Sequence, residues 1–122
     1  MPILTIKATR AVLTRDAARG LARQLPKVVA ALDLVVEEGF WVHVTPITAQ
    51  SIGGHLVVGR KGAVVHLELL HKPREAAWAG QALQVSAEHI ARALELPLDD
   101  IWGHAIELQS GRVFAGGKVR RW

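Results

Sequence analysis

The sequence predicts an α/β fold in which two β-α-β units share one four-stranded sheet, with two helices on one face. Three observations lead to this prediction. The order strand, long amphipathic helix, strand occurs twice, and each copy closes on a glycine pair, Gly53–Gly54 and Gly116–Gly117. The chain has 122 residues, half of them hydrophobic, which is enough for one domain with one core. We place the units at about residues 1–60 and 61–122.

The first unit starts with alternating polar and apolar residues over 2–8, a period of two that is typical of a strand. Thr14 can cap the following helix, and Pro26 should kink or break that helix. The segment FWVHVT forms the second strand. One helix face is apolar and reaches almost to Gly39, where we expect the helix to end: Leu13, Ala17, Leu21, Leu25, Val28, Leu32 and Val36.

The second unit repeats this order. Residues 63–70 (AVVHLELL) predict a strand, Pro73 suits a helix start, and residues 101–108 (IWGHAIEL) predict the last long strand. The helix between them has its own apolar face: Ala79, Leu83, Ala87, Ile90 and Leu94.

The connections predict how the strands are paired and which sheet face is left uncovered. A right-handed crossover through a helix makes the two strands of each unit parallel. With both helices on one face, the other face has no cover within the chain. We expect Leu67, Leu69, Ile106 and Leu108 on that face, and they are too apolar for water. The pattern therefore predicts an oligomer whose subunits cover each other's sheets.

Composition restricts the functional classes. The absence of cysteine excludes disulfides, thiolate metal sites and a cysteine nucleophile. We find no signal peptide and no membrane-spanning stretch, so we expect a cytoplasmic protein. The net charge of +4 suits a small anionic ligand. The basic tail GGKVRRW is short and lacks a partner motif, so we do not expect nucleic-acid binding.

The six histidines show no metal-ligand spacing, and we predict neither a metal nor a cofactor. His43, His66 and His104 lie on predicted strands and could approach one another. Packing within the sheet or between subunits explains them more simply than a zinc site does.

Taken together, these features resemble the tautomerase superfamily, which includes 4-oxalocrotonate tautomerase. MPILTI resembles the family's opening, in which methionine is removed and proline becomes the N-terminus; LELPLDDIWGHAIEL and GRVFAGGKVRR resemble the family's helix end, second strand, closing turn and basic tail. The resemblance covers nearly the whole chain. Because long family members carry two units per chain and form trimers, it implies a homotrimer.

The resemblance implies that Pro2 is the catalytic residue. A free prolyl amine can act as a general base if its pKa is lowered from the usual α-amino value near ~8 by apolar surroundings and nearby cations. Such a base would move a proton within a small α-keto or enol acid. The alternative interpretation is that Pro2 only begins a strand. A retained Met1 would make its nitrogen an amide, which is not a base.

The family pattern also implies substrate-binding residues. Arg10 and Arg74 match the arginine that follows the first strand of each unit, and guanidinium groups hold carboxylates. Arg112 and Phe114 lie in the closing turn that lines the family's pocket. Trp102, like Trp41, stands where the family has a second arginine; the change argues for a less charged or aromatic substrate. Either tryptophan could wall a pocket or pack between subunits. Ala63 replaces proline in the second unit, so we expect one active site per chain.

Two other readings stay open. One is a dehalogenase- or decarboxylase-like hydration enzyme of the same superfamily, with Glu107 as a candidate for activating water. The other is a non-catalytic oligomeric binding protein on this scaffold.

Overall fold

A computed structural model of the chain, which describes residues 2–32 and 39–122, has the predicted α/β architecture. In the first unit, β1 (Ile3–Thr9) leads through α1 (Arg15–Ala30) to β2 (Trp41–Ile47). The short strands β3 (Ser51–Ile52) and β4 (His55–Leu56) form a hairpin between the units. In the second unit, β5 (Val65–His71) leads through a 3₁₀ helix (Pro73–Glu75) to α2 (Ala76–Leu94). A second 3₁₀ helix (Leu98–Asp100), β6 (Ile101–Glu107) and the hairpin of β7 (Val113–Ala115) and β8 (Lys118–Arg120) complete the chain.

The four long strands form one mixed sheet in the order β2-β1-β5-β6. β1 is parallel to β2 and β5 is parallel to β6, which confirms the predicted parallel pairing within each unit. The units meet where β1 and β5 pair in antiparallel fashion, with Ile3 opposite Leu70 and Lys7 opposite His66. Consequently the start of β1 lies beside the ends of β5 and β6.

Both helices cover the same sheet face and enclose a single aliphatic core. Leu4 and Ile6 of β1, Leu25 of α1, Val65 of β5 and Ile90 of α2 are all buried in it. Burying such side chains contributes about 1.5–3 kcal/mol each before the entropy cost of ordering the chain. The sheet with two helices on one face is therefore confirmed.

Helix α1 differs from its prediction in length and in rotation. Thr14 caps it as expected, because its hydroxyl oxygen accepts a 3.3 Å hydrogen bond from the Ala17 backbone N–H. The helix passes through Pro26 unbroken and ends at Ala30, well before Gly39. Its buried stripe ends on Val29, where Val28 was predicted. The predicted contribution of Val36 falls outside the described residues.

One prediction about the sheet faces is wrong. Leu67 and Leu69 do not lie on the uncovered face; they are buried against the helices. The alternation of the segment HLELL groups Leu67 and Leu69 on the side opposite His66 and Glu68, so the period of the strand itself favours burying these two leucines against the helices. Ile106 does lie on the uncovered face and is 40% exposed.

The two glycine pairs adopt matching conformations. Gly53 and Gly54 have φ values of 59° and 83°, and Gly116 and Gly117 have values of 62° and 81°. Two consecutive positive φ values between antiparallel strands define the tight hairpin turn that glycine favours. The repetition in sequence therefore appears as two equivalent hairpins, β3–β4 and β7–β8.

Candidate active site

Pro2 is buried at the start of β1, where its carbonyl oxygen accepts a 3.1 Å hydrogen bond from the Trp41 backbone N–H. Residue 2 is thus held at the same end of the sheet as the last residues of β5 and β6. The chain also leaves β6 at this end. Directly after the strand, the backbone N–H of Leu108 donates to the His71 carbonyl at 2.7 Å. The β7–β8 hairpin follows directly.

A cavity of about 540 Å³ lies between this end of the sheet and the hairpin. The sheet contributes residues from β1, β2 and β5, and the hairpin contributes β7 with the residue before it. Apart from Arg112, the side chains around the cavity are apolar. The lining residues are Ile3, Trp41, Leu70, Leu108, Arg112, Val113, Phe114, Ala115 and Gly116.

This composition defines the kind of ligand that the cavity suits. An apolar enclosure with one guanidinium group fits a small molecule with an apolar body and one anionic group. The hairpin wall is open within a single chain, since Phe114 is 71% exposed. A further subunit against this side would enclose the cavity more completely.

Further cations surround the same end of the sheet. Lys72, Pro73, Arg74 and the C-terminal Trp122 line a second cavity of about 350 Å³, in which the Lys72 Nζ lies 5.3 Å from the Trp122 ring centroid. Lys72 also lines a smaller cavity of about 190 Å³ with Arg120 and four residues that belong to the first cavity. Arg74 therefore lies at the same end of the sheet as Pro2, although the two come from different units.

Arg10 and Trp102 lie at the other end of the sheet. Arg10 follows the last residue of β1, about 20 Å from Ile3 at the usual rise of a strand. Trp102 is the second residue of β6 and pairs with His66, so it lies near the end of the sheet where β1 finishes. Within one chain, the fold thus brings Pro2, Arg74, Arg112 and Phe114 to one end and separates them from Arg10 and Trp102. Their roles in substrate binding remain predictions.

The second unit has a different arrangement at its own strand start. Ala63 is fully buried, and its backbone N–H donates to the Arg60 carbonyl at 3.2 Å. The Gln50 side chain bonds both the N–H and the carbonyl of Val64, at 3.0 and 3.1 Å. An internal amide held in this way offers no basic nitrogen.

Of the three strand histidines, two meet on the uncovered face. The His66 Nε2 lies 3.2 Å from the His104 Nδ1, and the His104 Nε2 lies 3.6 Å from a Glu68 carboxylate oxygen. In the part of the chain that the structure describes, no three His, Asp or Glu side chains are arranged to hold a metal ion. No helix among the described residues is long and apolar enough to span a bilayer.

Sequence reasoning missed several residues around the Pro2 end. Ile3 and Leu70 are adjacent across β1 and β5, but their antiparallel pairing joins the two units and has no local signal. Lys72 and Trp122 come together because the tail runs back from the hairpin, where the Trp122 N–H donates to the Ser110 hydroxyl at 2.9 Å. The alternation of β1 could have identified Ile3 as a residue of the uncovered face.

Comparison with known proteins places the fold. No protein-family model and no curated protein matches the chain. Several solved structures do. Pt0534 inactivated by 2-oxo-3-pentynoate has a TM-score of 0.80 at 11% identity, covering 97% of this chain and 94% of its own. The W0 fused 4-OT wild type, a symmetric trimer, has a TM-score of 0.79 at 11% identity, covering 97% and 96%.

A third similar structure is N1, a member of the cis-3-chloroacrylic acid dehalogenase (cis-CaaD) family. Its TM-score is 0.76 at 15% identity, and the match covers 97% of this chain and 82% of N1. The chain thus has the fold of tautomerase-superfamily structures, which confirms the architecture implied by the resemblance. At these identities the likeness concerns the fold and leaves the reaction to be argued from the site.

Proposed function

We propose that this protein is a cofactor-independent tautomerase that uses Pro2 as a general base on a small α-keto or enol acid. The observation that carries the proposal is the position of Pro2. It is buried, it precedes Ile3, and its carbonyl is bonded to Trp41. Both of these neighbours line the cavity that contains Arg112.

The chemistry requires removal of Met1, which converts the Pro2 nitrogen from an amide to a secondary amine. The apolar cavity and the Arg112 guanidinium would both lower the pKa of that amine from the ordinary ~8, because each disfavours a second positive charge. The neutral amine would then remove a proton from the carbon next to the substrate carbonyl and return it elsewhere on the conjugated system. The proline ring restricts the chain at this position, which limits the directions that the lone pair can take.

Arg112 would hold the carboxylate of the substrate and stabilise negative charge as it develops on the enol oxygen. Trp41, Phe114 and Leu108 would contact the apolar part of the substrate. Arg74 and Lys72 add positive potential at the mouth of the site, which favours entry of an anion. Arg10 and Trp102 would serve the site of a neighbouring subunit.

The proposed assembly is a homotrimer of single-domain chains. The proposal is supported by the uncovered sheet face, which exposes Trp41, Trp102 and Ile106 by 47%, 59% and 40%. It is also supported by the similarity to a fused 4-OT structure that is a symmetric trimer. Covering such a face with further copies of the chain removes apolar area from water.

The proposal can be tested in two steps. Intact mass of the purified protein should show loss of the initiator methionine. The ketonisation of phenylenolpyruvate, followed by ultraviolet absorbance, should then be catalysed by the wild type and lost in Pro2→Ala. In Arg23→Gln, a change on the exposed side of α1, the rate should stay unchanged. Full activity in Pro2→Ala, or in protein that retains Met1, contradicts the assigned base.

A covalent probe gives a second readout of the same nitrogen. Because Pt0534 is inactivated by 2-oxo-3-pentynoate, we would apply this acetylenic keto acid here. A free, uncharged Pro2 amine should add to the alkyne, and peptide mapping should locate the added mass on the N-terminal peptide. Labelling elsewhere in the chain would remove the support for a reactive amine.

Hydration chemistry is the second candidate, and it rests on Glu107. This residue ends β6 and directly precedes Leu108, which lines the cavity that contains Arg112. A carboxylate there could activate water for addition to an unsaturated acid. The similarity to N1, a member of a dehalogenase family, favours testing this reaction. Chloride release from cis-3-chloroacrylate, abolished in Glu107→Gln, would favour this activity over proton transfer alone.

A further inference from the structure

Four side chains form a compact cluster on the uncovered face of the sheet, which we call the His66–His104 cluster: His66, Glu68, Trp102 and His104. The two imidazole rings stack with centroids 5.1 Å apart, and Trp102 lies 4.9 Å from His66 and 5.3 Å from His104. The cluster spans β5 and β6 at the end of the sheet away from Pro2. The proposed chemistry at Pro2 makes no use of His66, Glu68 or His104.

The charges around the cluster come from three strands. Lys7 of β1 is opposite His66, Glu68 of β5 contacts His104, and His43 of β2 lies farther along the row that holds Thr5 and Glu68. Within residues 2–32 and 39–122, the ring, ion-pair and hydrogen-bond contacts of the two imidazoles all come from β5 and β6. Burial, followed by the charges of His104 and Lys7, lowers the pKa of His66 below 6.5, and Glu68 opposes them.

The same face is unusually apolar for one that meets water. Trp102 is 59% exposed and Ile106 is 40% exposed, and both belong to β6. At the other edge Trp41 of β2 is 47% exposed. Further copies of the chain are the partner that the proposed trimer supplies, and they would desolvate the cluster.

We propose that protonation at the contact between His66 and His104 releases the copies of the chain that the proposed trimer packs against this face. The inference rests on the proposed assembly. It adds a link between assembly and pH that the assembly alone does not require.

The physical reason is the short contact between the two rings. At 3.2 Å the His66 Nε2 and the His104 Nδ1 can share one hydrogen, so at least one of these nitrogens has to act as an acceptor. Protonating both rings would leave two cations in contact, and covering them with another subunit would remove the water that screens them. Only Glu68 offers a compensating negative charge in the cluster.

The sign of the effect follows from this arrangement. Covering the cluster disfavours a positive charge on His66, so the pKa of His66 should be lower in the assembled state than in a separated chain. Well above pH 6.5 His66 is neutral in both states, and its protonation does not affect assembly. As pH falls below that value, the separated chain takes up protons first. The dissociation constant should rise about tenfold per pH unit for each proton taken up.

Sedimentation velocity between pH 8 and pH 5 tests this inference. The wild type should be trimeric at pH 8 and lose mass below about pH 6.5. The double variant His66→Gln/His104→Gln should stay assembled across the range. If the double variant does not fold, two single variants still test the inference, because they should shift the pH of dissociation in opposite directions. Lys7→Gln should move the transition to higher pH, because a cation that opposes protonation is removed; Glu68→Gln should move it lower.

His89→Gln is the matched control, because His89 also has a lowered pKa but belongs to α2 on the other side of the sheet. It should leave the transition in place. A trimer that persists unchanged to pH 5 overturns the inference while leaving the proposed assembly intact. A transition that the His66, Lys7 and Glu68 variants do not move overturns the assignment to this cluster. A monomer at pH 8 removes both the assembly and the inference.

Discussion

The carbonyl oxygen of Pro2 accepts a 3.1 Å hydrogen bond from the backbone N–H of Trp41, which ties the first described residue to the start of the second strand. The bond joins the two ends of the first β-α-β unit at one place. It also puts residue 2 beside a side chain that lines the cavity of about 540 Å³ at this end of the sheet. A residue near a chain terminus is usually poorly ordered, whereas this one is buried and bonded.

Replacing Arg112 should weaken the handling of an anionic substrate. Arg112→Gln removes the charged group that lines the cavity beside Ile3 and Trp41. A charge-assisted hydrogen bond contributes about 1.5–3 kcal/mol. We expect kcat/KM for phenylenolpyruvate to fall by about tenfold to a hundredfold. The comparison is Arg23→Gln, which removes the same charge from α1. Equal losses in both variants would indicate a general electrostatic effect and not a contact with substrate.

The β7–β8 turn should matter for activity, whereas its counterpart in the first unit should not. Gly117 and Gly54 have φ values of 81° and 83°, so alanine at either position costs about 1–2 kcal/mol. Gly117→Ala should disturb the hairpin that presents Arg112 and Phe114 and should lower both stability and turnover. Gly54→Ala should lower stability alone. Urea unfolding and steady-state kinetics on both variants distinguish the effects; similar kinetics in the two would contradict the placement of the site.

Two glycines near the contact between α2 and β6 should respond in opposite directions to alanine. A Cβ at Gly103 would lie 3.0 Å from the Leu67 Cβ, so Gly103→Ala should cost about 1–3 kcal/mol through overpacking. A Cβ at Gly80 meets nothing within 4 Å, and Gly80→Ala should stabilise the helix by about 0.5–1 kcal/mol. The free energy of unfolding in urea measures both. A neutral Gly103→Ala would mean that the strand can shift away from Leu67.

His89 should make the stability of the chain depend on pH. Its Nε2 lies 2.8 Å from the Gln24 Oε1, and burial together with Arg92 lowers the pKa of His89 below 6.5. Between its folded and unfolded pKa values the unfolded chain binds more protons, so the free energy of unfolding falls as pH drops below about 6.5. His89→Gln should reduce this slope, measured by urea unfolding at pH 8, 6.5 and 5. An unchanged slope would locate the pH dependence in other groups.

The sequence predicted the architecture well because the relevant signals are local. Alternation marked β1, helical spacing marked α1 and α2, and the paired glycines marked both hairpins. It erred on two points. Leu67 and Leu69 were assigned to the uncovered face, although the alternation of HLELL groups them opposite His66 and Glu68, on the side that the helices cover. Val28 and Val29 are equally apolar, and only packing decided that Val29 is buried.

The candidate site was predictable only in part. The glycine turn and the family-like opening pointed to Pro2, Arg112 and Phe114, which the fold does bring to one end of the sheet. Ile3 and Leu70 could not be assigned to the same cavity, because they meet through an antiparallel pairing of strands far apart in the chain. The contact between His66 and His104 has the same origin, since it depends on the register of β5 and β6.

The sequence by itself therefore determined the two units, their helices and strands, their tight hairpins and the absence of any cysteine chemistry. These features follow from side-chain periodicity, glycine conformation and composition, all of which act over a few residues. Only the tertiary structure decided that Arg74 lies at the same end of the sheet as Pro2 and that Arg10 and Trp102 lie at the opposite end. The reason is that the antiparallel pairing of β1 with β5 reverses the second unit against the first, and the energy of that pairing comes from a shared core rather than from any local segment.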